Sequence, residues 1–422
     1  MEKTEAKKHF SVYTMAIIGL RFCGIWYVDD PCTSIYTKLL NFFSSLIGTL
    51  MLLILTGTIA ADLVFHSNDL LIVTDDGCYL AGLSVILFKI ANFHNHHQVI
   101  RKLTAAVHKP IDILRRSSDK EVLSIIDSNT FYENMGFCFF ISISGILWIA
   151  LIFIVPKNPG ELPLRAAHPF DTTTYPMHQL AFIIQMYAVA YGLVTITLMD
   201  ALALGFLRWI NVQLIILTFD YQKCNLTPNY SHRNDSNSCL SSSKLVKNHT
   251  ESWDLMNTIS NSVRTSKFTS CIKNKDENVE NTFTLRFKRC VTNHRRLIAI
   301  INDVNDVFGT SLLMQVFASI TMICLTGFQA VLGAKEKSNL IKFVVYLSAA
   351  LSQLFYWCWY GNELIYQKHS LMVAQWMTGW EDQLNPTSKI LIIMSMMRTL
   401  QPLQLKAGAF FILSMDSFIT VI

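Results

Sequence analysis

The sequence predicts an all-α, seven-transmembrane helical membrane protein with its N-terminus cytoplasmic and its C-terminus extracellular. Three observations predict it. The 422 residues are 51% hydrophobic and only 15% charged, where a soluble chain carries closer to a quarter charged residues. Seven apolar runs reach or approach the ~20 residues a helix needs to cross a hydrocarbon core of ~30 Å. Lysine and arginine concentrate in alternate connections, the bias that orients membrane helices.

The runs are 39–61, 70–93, 135–155, 180–207, 307–332, 342–360 and 390–422. Asp75, Asp76 and Lys89 interrupt the second. Arg398, Gln401, Pro402 and Lys406 interrupt the seventh, which reads as a short approach helix, a break, and a final span from about Leu405. Segment 1–10 is polar and lysine-bearing, unlike a signal peptide, so the first run is expected to be an uncleaved span.

Lys3, Lys7, Lys8, Arg21 and Lys38 precede the first span. Arg101, Lys102, Lys109, Arg115, Arg116 and Lys120 lie between the second and third, and Arg286, Lys288, Arg289, Arg295 and Arg296 precede the fifth. The first-to-second connection, 62–69, has no lysine or arginine. Lys335, Lys337 and Lys342 run against the pattern, but the balance keeps the N-terminus inside. That orientation is opposite to G-protein-coupled receptors, and the last span lacks Asn-Pro-x-x-Tyr.

Four parts follow: a cytoplasmic N-terminal segment, 1–38; helices one to four, 39–221; a disordered cytoplasmic loop, 222–285; and helices five to seven, 286–422. The loop is rich in Ser, Asn and Lys, a composition too polar to bury a core. Its sequons at Asn225, Asn229, Asn234 and Asn248 are expected to stay unmodified, since sugar there would invert the topology.

Nothing in the chain assembles as a catalytic centre. Ten scattered cysteines include no Cys-x-x-Cys pair, and those in apolar runs read as small buried residues. His94, His96 and His97 cluster without cysteine or carboxylate partners at metal spacing and read as a solvated loop. Asp127 and Glu133 are read as flanking the third span. No enzyme activity, cofactor, metal or nucleic-acid partner is expected. Asp200, deep in the fourth run, needs a partner. Tyr356, Trp357, Trp359 and Tyr360 read as an interfacial belt.

Several segments resemble the insect odorant receptor family. The most specific is Pro402-Leu-Gln-Leu-Lys-Ala-Gly-Ala-Phe-Phe-Ile-Leu-Ser-Met-Asp-Ser-Phe418. Similar, shorter matches are Arg21-Phe-Cys-Gly-Ile-Trp26, His168-Pro-Phe-Asp171, Cys290-Val-Thr-Asn-His294 and 353–365, which begins Gln-Leu-Phe-Tyr-Trp. The resemblance implies a subunit of a ligand-gated, non-selective cation channel. In that family a variable odorant-binding subunit joins a shared coreceptor in a heterotetramer at the plasma membrane of olfactory neuron dendrites. The C-terminal wording follows the variable members. A gustatory-type receptor, whose C-terminal signature is absent here, and a G-protein-coupled receptor are the competing readings.

The resemblance places a small volatile odorant among the helices in the outer half of the bilayer. Ser142, Gly145 and Trp148 recur at helical spacing on one face, which resembles the family's pocket-lining pattern. Tyr79, Met186, Tyr187, Ala190 and Tyr346 fall in the outer halves of their spans. The competing reading is ordinary helix packing. The resemblance also implies that the last helix lines the pore, with Asp416, Phe418, Ile419 and Ile422 on it. A buried hydrogen-bond anchor is the alternative role for Asp416. Family members continue about a dozen residues further, so the last helix is expected to be incomplete.

Overall fold

The computed structural model describes residues 12–26, 34–116, 120–153, 162–172, 174–225, 280–332, 337–382 and 386–422. Within these, the elements are α1 (Val12–Phe22), α2 (Ile35–Phe65), α3 (Leu70–Asn95), α4 (His97–Arg116), α5 (Lys120–Phe153) and α6 (Met177–Gln222). They continue with α7 (Glu280–Leu332), α8 (Lys337–Trp376), α9 (Pro386–Leu400), β1 (Lys406–Ala407), β2 (Phe411–Ile412) and α10 (Met415–Val421). Among the described residues, five helices are long and apolar enough to cross a membrane: α2, α3, α5, α6 and α7.

Side-chain contacts give the register. Ser144 meets Thr197 at 2.7 Å and Trp209 Nε1 donates to Glu133 at 3.3 Å, so α5 and α6 run antiparallel. Gln353 donates to Asp200 and Arg208 to Tyr360, which makes α6 and α8 parallel. Gln329 donates to Thr74, and Asn92 to the carbonyl of Val307, so α3 and α7 are antiparallel. These three relations are the ones that spans alternating in direction along the chain would have.

Several elements lie outside the predicted spans. The stretch 97–116, read as a loop, is the helix α4, whose apolar residues Ile100, Leu103, Val107, Ile111 and Leu114 are buried. Their three- and four-residue spacing is that of a helix with one covered face. Segment 12–22 forms α1, with Val12, Ala16 and Leu20 buried. The helix α7 starts at Glu280, inside the stretch read as loop. The sequons at Asn229, Asn234 and Asn248 lie outside the described residues; Asn225 closes a short 3-10 turn after α6.

The connection 162–172 packs back onto the bundle. The Gln185 side chain acts as a strand partner for Leu164: its amide donates to the Leu164 carbonyl at 2.9 Å and its oxygen accepts from the Leu164 N–H at 3.0 Å. Arg165 pairs with Asp62 at 2.9 Å. Asp69, not Asp75 or Asp76, caps α3, accepting from Leu71 N–H at 3.1 Å. Such a cap satisfies a backbone donor that the first helical turn leaves open.

The seventh run departs most from expectation. No 18-residue helix starts at Leu405. After α9 the chain forms a two-stranded hairpin in which Lys406 faces Ile412 and Ala407 faces Phe411, and helix resumes only at Met415. The reason is visible in the contacts. Asn305 on α7 uses both ends of its amide on this backbone, donating to the Gln404 carbonyl and accepting from the Lys406 N–H, each at 3.0 Å. Gly408 sits at φ +67°, a conformation that costs a side chain energy, and its N–H donates to the Gly309 carbonyl at 2.8 Å. Backbone bonds that a helix would form internally are taken by the neighbouring helix instead.

Candidate ligand site and buried polar core

Of the residues expected around a ligand, the fold brings Tyr79 and Tyr346 together. Their hydroxyls lie 3.0 Å apart and their rings meet edge to face at 5.8 Å, joining α3 to α8. Met186 and Ala190 are half-buried on α6, and Tyr187 is exposed and stacked on Tyr191 at 6.3 Å. On α5, Ser142 and Trp148 are exposed and Gly145 is half-buried with open space where a Cβ would stand. The Ser142 hydroxyl is satisfied within its own helix, by the Cys138 carbonyl. Ser144, which the sequence did not single out, makes the cross-helix contact instead.

About ten residues along α3 from Tyr79, or ~15 Å at 1.5 Å per residue, lies the partner that Asp200 required. Lys89 Nζ sits 2.5 Å from Asp200 Oδ1, and both side chains are 4% exposed. Gln353 donates to the other oxygen, Asp200 Oδ2, at 2.6 Å, and Gln315 donates to Gln353 at 3.0 Å. One residue from each of α3, α6, α8 and α7 thus meets at one level. A small cavity beside this cluster is lined by Lys89, Asp200, Ser311 and Trp357 among others. Ser311 Oγ and Trp357 Nε1 are buried there without a protein partner. Lys89 read as a blemish in an apolar run; it is the counter-ion of a residue 111 positions away.

The aromatic belt is not one. Trp357 is 3% exposed and faces inward, and Tyr360 accepts a hydrogen bond from Arg208 Nη1 at 3.0 Å. Four aromatics within about one helical turn cannot share one face; Trp359 is the exposed one. Glu133 likewise does not flank a span. It is buried within α5, bonded to Trp209 Nε1, while Asp127 is exposed.

The histidines 94, 96 and 97 are half-buried around the α3–α4 junction, each Nδ1 about 3 Å from a backbone carbonyl, and no metal-type cluster forms among the described residues. Cys224 and Cys290 lie 3.9 Å apart, sulfur to sulfur, where α6 ends against α7. Their sequence spacing carried no sign of that.

At the C-terminus, Leu403, Leu405, Ala407 and Leu413 are buried, so the apolar letters of the signature anchor the hairpin. Gly361 on α8 lies so close to the Leu413 carbonyl that a Cβ would overlap it. Asp416 is exposed in the first turn of α10, which corrects the reading of a buried anchor. A carboxylate is favourable there, beside the open N–H groups of a helix start. Phe418 packs edge to face on Phe355 at 5.5 Å, while Ile419 and Ile422 are exposed.

This geometry defines a multi-pass helical membrane protein with a polar centre and a docked C-terminal hairpin. The comparisons with known proteins agree. Residues 73–422 match the family model described as 7tm Odorant receptor. Odorant receptor 13a of Drosophila melanogaster is 33% identical over 150 residues, 32% of this chain and 35% of that receptor. The Odorant receptor coreceptor of Anopheles gambiae is 22% identical over 323 residues, 66% of this chain and 67% of that one. The matched part thus spans about a third of the former and two thirds of the latter. The solved insect olfactory receptor OR5 from Machilis hrabei superposes with a TM-score of 0.71 at 13% identity, covering 97% of this chain and 93% of that one. It has also been solved in complex with eugenol. The chain belongs to the insect odorant receptor family.

Proposed function

We propose that this chain is the odorant-tuning subunit of a ligand-gated, non-selective cation channel, assembled with a coreceptor subunit as a heterotetramer. Its N-terminus is cytoplasmic and its C-terminus extracellular, in the plasma membrane of an olfactory neuron dendrite. The observation that carries the reading is the Tyr79–Tyr346 hydroxyl pair. It couples two helices that also meet at the Lys89–Asp200–Gln353 cluster, and α8 continues from there to the Phe355–Phe418 contact with α10. A volatile with one hydroxyl, such as the eugenol bound by the Machilis receptor, has the donor and acceptor to exchange with a tyrosine pair. Ser142, Gly145, Trp148, Met186, Tyr187 and Ala190 complete the apolar walls. In this reading Asp416, Ile419 and Ile422, which are exposed on the single chain, face the pore with Phe418 behind them.

A ligand opens such a channel only through higher affinity for the open arrangement. A contact that restrains α3 against α8 is one that a ligand can exchange for its own. The test is co-expression with a coreceptor in oocytes under a panel of volatiles that includes eugenol. Odorant-evoked cation current is expected, with Tyr79→Phe and Tyr346→Phe shifting the concentration for half-activation at least severalfold. Absence of current from a subunit that reaches the surface would overturn the proposal.

A further inference from the structure

A second cleft lies away from the tyrosine pair, where α5, α6, α8 and α1 meet. Glu133, Gly136, Phe137 and Phe140 line it from α5, and Ala201, Leu204, Gly205 and Arg208 from α6. Both sets follow the i, i+3, i+4, i+7 spacing of a single helical stripe. Because the two helices are antiparallel, Glu133 and Arg208 fall at one end of the cleft and Phe140 and Ala201 at the other. Tyr356 and Tyr360 close the third side. Each stripe spans eight residues, seven steps or about 10 Å of helix at 1.5 Å per residue. The cleft is a half-open groove: about 340 Å³ lies between its walls and across its mouth, of which the walls close off only about 30 Å³. Each stripe holds a glycine, and a Cβ placed at Gly136 would meet nothing within 4 Å.

The polar end is incompletely satisfied. Glu133 Oε1 accepts from Trp209, but Glu133 Oε2 has no hydrogen-bond partner, and Glu133 is 7% exposed. Arg208 donates from Nη1 to Tyr360 and from Nη2 to Asn129, yet its Nε–H has none, at 8% exposure. A buried acceptor and a buried donor left open are costly, and here they sit at the head of an apolar slot. A hydroxyl is the group that serves both, giving its proton to a carboxylate oxygen and accepting from an N–H.

We propose that this cleft is a second ligand site, which takes a hydroxyl-bearing amphiphile about 10 Å long from the membrane. The hydroxyl sits between Glu133 Oε2 and Arg208 Nε, and the chain lies over Gly136 toward Phe140 and Ala201. Small alcohols in the bilayer therefore reach this protein by a route separate from the tyrosine pair, at least 10 residues and ~15 Å away along α8. The site does not depend on the odorant reading, since its occupancy is measured without current.

The experiment is photolabelling of the purified full chain in lipid nanodiscs with a diazirine-bearing octanol, followed by peptide mapping. Labelling within 133–140, 201–208 or 356–360, displaced by excess octanol, is expected. Gly136→Leu, which fills the slot one helical turn from Glu133, should reduce it at least tenfold, while labelling elsewhere on the chain that excess octanol does not displace stays as the internal reference. Ala201→Leu fills the opposite end and serves if the first variant is not monodisperse. The matching octyl methyl ether, which has no donor, should label the cleft at least fivefold less. Labelling that survives both fillings, equal labelling by the ether, or no labelling of these segments would overturn the proposal.

Discussion

Replacing Lys89 with methionine tests whether the polar centre holds the bundle together. The substitution keeps the length and apolar stem and removes the cation 2.5 Å from Asp200. Asp200 is then left with one hydrogen bond, from Gln353 at 2.6 Å, and its carboxylate stays buried. Breaking one half of a buried pair costs about 3–5 kcal/mol, because an uncompensated charge stays behind. Removing both halves is far cheaper, often neutral, since the desolvation of both ions disappears with their attraction. Lys89→Met and Asp200→Leu should each melt well below the parent, and the double variant above either single. The measurement is the thermal midpoint of the purified chain in micelles, for all four proteins side by side. The reasoning fails if Lys89→Met melts with the parent, or if the double variant falls below both singles as two independent losses would.

Other consequences follow from the same contacts. Gly361→Ala forces a methyl into the Leu413 carbonyl, a backbone atom that cannot swing aside. It should cost about 1–3 kcal/mol as overpacking and make the C-terminal hairpin sensitive to limited proteolysis. Asn305→Ala strips a donor and an acceptor from the backbone at Gln404 and Lys406. Both bonds lie in a part-exposed region, so each lost bond costs about 0.5–1.5 kcal/mol, and the same proteolysis should report a loosened hairpin with α3 to α6 intact. His108 on α4 packs beside Phe206 and Trp209, each 6.4 Å away, and burial lowers its pKa from 6.5 to about 3. The unfolded chain therefore binds the proton first. The stabilisation from keeping this ring neutral is complete above pH 6.5 and is lost as pH falls toward 3. His108→Phe should flatten that part of the stability profile, read as thermal midpoints between pH 7 and 4.

Legibility in the sequence depended on whether a feature is local. Long apolar helices follow from composition and length, and Asp200 announced itself as a charge in need of company. Lys89 was equally visible, yet nothing in one dimension says that α3 and α6 face each other at those two residues. The stripe Glu133, Gly136, Phe137, Phe140 is readable as a helical face, but its twin on α6 becomes a wall of the same cleft only once the helices are antiparallel and in register. The aromatic cluster 356–360 misled because interface preference was read from residue type, while helix rotation decides which ring faces lipid.

The last run shows the division most clearly. Sequence alone determined that this is a membrane chain of long apolar helices, and which family signature lies in its last run. Local hydrophobicity is sufficient for that, because a spanning helix satisfies its backbone from within. The break at 401–414 was decided by the tertiary structure. There the side-chain amide of Asn305 and the carbonyl of Gly309 take up backbone groups of the incoming segment. Glycine at 361 leaves room for the return strand to pass. Those partners lie roughly fifty to a hundred positions upstream, and only folding brings them into reach.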